Sequence, residues 1–165
     1  MADRIDRRFG HVFQIDKTLH GTPAQRQALR DAYDAPYGSK PHALLQNFDR
    51  YFNRRYPGRH YVNLEIKDFG GDTQHLELAG AASIAFSDKL VPTALRDLAQ
   101  HSFFHVLDNT DYLDQADRQW FMSALGVVPD WNGVRETFAD AGRDWWNGVS
   151  WQSLDSILLK GRDGH

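Results

Sequence analysis

The chain has 165 residues, 41% of them hydrophobic and 25% charged, the balance of a globular protein rather than a disordered or fibrous one. It has no cysteine, which excludes a disulfide scaffold, a thiolate metal site and a cysteine nucleophile, and leaves His, Asp and Glu as the strong metal ligands. The net charge of −3 hides a division: residues 1–61 carry +5 and residues 62–165 carry −8, two halves that either present opposite faces to partners or cancel on folding.

One hydrophobic core suffices at this length, since a domain of about 150 residues buries roughly 70% of its unfolded surface; residues 1–165 are therefore expected to form a single domain. The charged opening Met-Ala-Asp-Arg-Ile-Asp-Arg-Arg and the lack of an apolar run near the roughly 20 residues of a membrane span give the cytoplasm as the expected compartment, without membrane contact. Arginine outnumbers lysine 14 to 5, a codon bias that suits a GC-rich bacterial genome.

In chain order, residues 9–15 form a short β-prone run that reads as an edge strand. Thr22-Pro23 sets a capping hydroxyl before a proline suited to the first helical position, opening a helix to about Tyr33. A second helix is expected over 41–55, with Leu44, Leu45, Phe48, Tyr51 and Phe52 on one side, ended by Pro57-Gly58. From His60 the period becomes two. Val62, Leu64 and Ile66 alternate with polar residues, Gly70-Gly71-Asp72 supplies a turn, and Leu76 and Leu78, then Ala82, Ile84 and Phe86, repeat the pattern. These runs predict an antiparallel meander of three to four strands. Beyond Pro92-Thr93 the pattern is helical: about 93–108, 112–125 closed by Gly126, then 131–141 and 151–160. Strands grouped between N-terminal and C-terminal helices give an α+β class, with helices on one face of the sheet.

Three groups of residues carry candidate chemistry. His101, His105 and Asp108, spaced four and three apart, share one face of a helix, and two imidazoles with a carboxylate are a ligand set for Zn²⁺ or non-haem Fe²⁺. His75 or Glu77 would be the distal ligand. Two histidines near a helix C-terminus also stabilise it without any metal. Arg50, Arg54, Arg55 and Arg59 are interleaved with Phe48, Tyr51, Phe52, Tyr56, His60 and Tyr61, a mixture that suits single-stranded nucleic acid if the rings are exposed and leaves an ordinary basic patch if they are not.

The third group is the acidic, tryptophan-rich C-terminal part. All five tryptophans lie between Trp120 and Trp151; Trp120 fits the apolar face of its helix, while Trp145 and Trp146 are adjacent and point about 100° apart, which sets at least one of them at a rim. Aspartates 108, 111, 114 and 117 do not match a calcium loop, and Asp111 or Asp114 reads as a helix cap. Glu65, His75 and Glu77 on the outward sheet face would bring two carboxylates onto neighbouring strands. No nucleophile elbow, phosphate-binding loop or dinucleotide fingerprint occurs, so no organic cofactor is expected.

The leading expectation is a cytoplasmic protein-binding domain of inhibitor, immunity, chaperone or adaptor type. Trp145, Trp146 and Trp151 would be its anchors, with Asp140 and Asp144 as the charged rim facing a basic protein partner. The alternative is a metal-dependent enzyme at His101, His105 and Asp108. Nucleic-acid binding through Arg50–Arg59 ranks third.

Overall fold

A computed structural model describes residues 9–10, 12–16, 20–59, 61–71, 74–126 and 130–159. Its strands are β1 (Phe13–Ile15), β2 (Val62–Lys67), β3 (Leu76–Leu78) and β4 (Ser83–Ser87), and its α-helices are α1 (Pro23–Ala32), α2 (Lys40–Arg55), α3 (Pro92–Asn109), α4 (Gln115–Leu125), α5 (Arg135–Trp146) and α6 (Gln152–Leu158). The α+β class holds. Of the expected strand 9–15, His11 lies outside the described residues; Phe9 makes an isolated bridge to Phe13, and β1 takes the sheet edge beside β2.

The antiparallel meander is overturned. The strand order is β1-β2-β4-β3, with β1 and β2 parallel, β2 and β4 parallel, and β3 antiparallel to β4. Alternation identifies the buried face of each strand but is the same for either pairing direction, so it is silent on which strands are neighbours. Burial decides. Residues 84–87 of β4 are all buried, whereas β3 is three half-buried residues, so the apolar β4 takes the interior and β3 caps the edge. The segment after β2 therefore steps past the width of β4, about 10 Å for two strand spacings.

Local signals set the helix starts. Thr22 and Gln25 form a reciprocal capping box, and Asp114 and Asp117 form another. Asp114 is therefore the cap and α4 begins at Gln115, three residues later than the spacing predicts, while Asp111 takes a left-handed turn at φ 60°. The expected helix 131–141 divides into a 3₁₀ turn (Trp131–Gly133) and α5, which runs on to Trp146.

Helix α3 is the centre of the molecule. Its residues Leu95, Ala99, Phe103, Phe104, Val106 and Leu107 are buried on nearly every side, because neighbours cover it from both flanks. Toward α1, the Tyr33 hydroxyl donates to Ala99 O at 2.7 Å and Gln100 Nε2 donates to Ala32 O at 2.9 Å. Toward α5, Gly142 replaces a side chain by contact: a Cβ there would stand 2.3 Å from the Phe104 ring. A mid-helix glycine costs up to about 1 kcal/mol against alanine, and here it admits the close approach that the facing polar groups need. No helix among the described residues is long and apolar enough to cross a membrane.

Candidate metal centre between α3 and α5

On the face of α3 turned to α5, His101 and His105 stand one turn apart, their rings 4.9 Å between centroids. Their Nε2 atoms are 3.2 Å apart. Helix α5 brings Glu136 across from its first turn: one carboxylate oxygen lies 3.0 Å from His101 Nε2 and the other 3.0 Å from His105 Nε2. One turn further along α5, Asp140 Oδ1 is 2.9 Å from His101 Nδ1. Two pairs spaced by four residues, one on each helix, meet across the seam.

A carboxylate only accepts, so the neutral His101 tautomer with hydrogen on Nδ1 donates to Asp140 and turns a lone pair on Nε2 toward Glu136 and His105. Nitrogen and carboxylate lone pairs gathered this closely are reconciled by a proton between them or by a metal ion. Burial holds His105 below the usual imidazole value, outweighing the neighbouring Glu136 carboxylate that raises it, with His101 and Arg135 lowering it further. Neutral imidazole is the form that ligates metal.

The dimensions fit an ion. Nitrogen ligands about 2.0–2.1 Å from a tetrahedral zinc stand roughly 3.3 Å apart, against 3.2 Å for the two Nε2 atoms. Among the described residues, His101, His105 and Glu136 form the group whose ligand atoms all lie within 4.8 Å of one another. The imidazoles are shielded, with side chains 12% and 7% exposed, while Glu136 is 77% exposed. One side of the centre is therefore protein and the other is solvent.

Asp108 is not part of it. Its side chain, 7% exposed, points to the other end of the seam, where Oδ1 accepts from Arg118 Nε and Trp131 Nε1, each at 2.9 Å. Its Oδ2 is ion-paired with Arg135 Nε at 3.0 Å, the N–H not aligned for a hydrogen bond. With Oδ1 taken by two N–H donors and Oδ2 held against a guanidinium, this carboxylate is committed away from the imidazoles. Glu136 stands where Asp108 was expected. The signal for it was available in the Glu136-x-x-x-Asp140 spacing, a second pair on a second helix.

Neither expected distal ligand joins the centre. Glu77 faces Lys67 Nζ at 3.7 Å. His75 lines a cleft of about 360 Å³ together with Leu90, Leu98, His101, Asp140 and Arg143. Glu65 and Glu77 are not on neighbouring strands, because β4 runs between β2 and β3 and places Ala85 between them; the expected carboxylate pair is lost with the meander.

The other expected surfaces also change. Trp145 and Trp146 are 3% and 8% exposed, so neither is a surface anchor. Adjacent indoles enter the core on two sides of α3: Trp146 meets Tyr33 and Phe103, while Trp145 meets Phe104 and donates from Nε1 to Asp155 at 2.8 Å. The 100° divergence is accommodated because α3 offers a ring to each. Trp151 is half-buried beside Phe121, and Trp120, expected on the apolar face, is 55% exposed. Asp140 is exposed and lies on His101, while Asp144 is half-buried against Arg143 at 3.7 Å. In the arginine segment Phe48, Tyr51 and Phe52 are core residues. Arg50 donates to Asn47, Arg55 lies over the Tyr56 ring, and Arg59 donates to Ala82 O and Ser83, so those three rings give no stacking platform; His60 lies outside the described residues.

Comparison of the chain with protein-family models, with curated proteins and with solved structures gives no match.

Proposed function

We propose that this chain is a metal-binding protein whose His101, His105 and Glu136 hold a divalent transition-metal ion with coordination positions open to solvent, the arrangement of a metal-dependent hydrolytic enzyme. The observation that carries this reading is the convergence of two imidazole nitrogens and a carboxylate within hydrogen-bond distance of one another. Two nitrogens and one oxygen favour Zn²⁺ or Fe²⁺ over Mg²⁺ and Ca²⁺, which prefer all-oxygen shells. Three protein ligands rather than four leave room for water, which such an ion ionises near neutral pH. Asp140 supports the reading further, since a carboxylate on the remote nitrogen of a ligating histidine fixes its tautomer and raises its basicity. A docking surface anchored on Trp145 and Trp146 has no comparable support, as both indoles are core.

The test is thermal unfolding of chelator-stripped protein with added Zn²⁺, Fe²⁺ or Mn²⁺. Free ion at a hundred times Kd stabilises by about 2.7 kcal/mol, so the wild type rises in Tm while a His105→Ala variant does not respond. A wild-type Tm unmoved by all three ions sinks the reading.

A further inference from the structure

We infer that Asp108 is a positioning residue for the metal centre: through Arg135 it fixes the first turn of α5 and so holds Glu136 between His101 and His105. The inference rests on the metal-binding reading and adds a residue that touches no ligand atom of the site.

Glu136 is mostly exposed and belongs to the opening turn of a helix, the part of a helix most prone to fray. The start of α5 also lacks the usual remedy, because Val134 at its N-cap makes no side-chain capping bond. What holds it is a clamp from the end of α3. Arg135, the first residue of α5, sets Nε 3.0 Å from Asp108 Oδ2 and donates from Nη2 to Asn109 Oδ1 at 2.9 Å. Asp108 is itself fixed by Arg118 from α4 and by Trp131 from the 3₁₀ turn that leads into α5. Three elements thus meet on one buried carboxylate, and the residue next in sequence to Arg135 is the ligand. Burying a carboxylate costs several kcal/mol unless it is paired, so the two N–H donors on Oδ1 and the guanidinium against Oδ2 resist deformation of the geometry at Asp108. At the other end of the seam the Gly142–Phe104 approach sets the helix spacing, leaving the rotation and start of α5 to the clamp.

The experiment is a Co²⁺ titration at 25 °C, followed by the visible ligand-field bands, on the full chain and on Asp108→Asn, Arg135→Gln, Arg135→Lys and Glu136→Gln. Loss of a group that orients a metal ligand typically lowers affinity 10–100-fold. Asp108→Asn and Arg135→Gln are expected to fall in that range with far-UV helix content unchanged. Their band positions should move toward those of Glu136→Gln, and Arg135→Lys should recover only part of the loss. A purely structural role would lower Tm and leave affinity and band positions in the folded protein at wild-type values; affinities within twofold of wild type in both variants overturn the inference. If Asp108→Asn does not fold, Arg135→Gln decides alone. A wild type that binds no Co²⁺ brings down the metal reading itself, and this inference with it, which is distinct from a wild type that binds and variants that bind equally well.

Discussion

Two polar clusters sit on one face of α3, three residues apart, and they are chemical opposites. At His101 and His105 the facing helix contributes carboxylates, two acceptor groups turned toward two imidazoles. At Asp108 the facing elements contribute two guanidinium groups and an indole, all cations or donors turned toward a single carboxylate. Spacing along a helix places side chains on a face; what they do there is decided by the partner across the seam. A ligand set read from one helix alone cannot separate a member of the site from its support.

The largest effect that tests this contrast is at Asp108. Asp108→Ala leaves the guanidinium groups of Arg118 and Arg135 beside a buried, uncompensated position, and breaking a buried pair costs about 3–5 kcal/mol. Denaturant unfolding of metal-free protein should show a loss in that range. Glu136→Gln should do the reverse: being exposed, it should change metal-free stability by less than about 0.5 kcal/mol and weaken the Zn²⁺-induced rise in Tm at a given ion concentration. Equal losses from both variants would erase the distinction between the clusters.

Next in size is Gly142→Ala. The added methyl carbon meets the Phe104 ring at 2.3 Å, and since the ring is buried on all sides, α5 must retreat. Overpacking of this kind costs about 1–3 kcal/mol, larger than the gain from removing a helical glycine. Widening the seam also pulls Glu136 and Asp140 from the imidazoles, so metal affinity should fall with stability. A stabilised variant would mean that the helices adjust without consequence.

Much of the fold was legible because it follows from local chemistry. Thr22-Pro23, Pro92 and Gly126 mark helix ends, and the apolar period gives the buried faces of β2 and β4. The parallel pairing of β2 with β4 was not, because period-two alternation carries no information on neighbours, and only the greater burial of β4 selects it for the interior. At the site, the histidine pair was legible from its spacing of four, but its third member depends on which helix crosses α3 and how closely, which turns on Gly142, a residue with no chemistry of its own. The tryptophans failed for a related reason: adjacent indoles can both be buried when a central helix presents Phe103 to one and Phe104 to the other.

The smallest effect concerns a further carboxylate on this helical layer, Asp155, which pairs with a cation that the protein supplies, Lys40. The Trp145 indole N–H and the Lys40 ammonium, at 2.8 and 2.9 Å, hold its carboxyl below the usual aspartate value of 3.8, against the opposing effect of burial. A depressed carboxyl contributes stability that is present above its unfolded value and lost as pH falls through the lower, folded one. Wild type should therefore lose this contribution in the acid limb below about pH 4. Asp155→Asn, which keeps an acceptor for Trp145 but not the charge, should be less stable at pH 7 by about 1 kcal/mol or less and converge on wild type in the acid limb. Curves that stay parallel from pH 7 to pH 2 would show that the indole and the ammonium do not favour the ionised form.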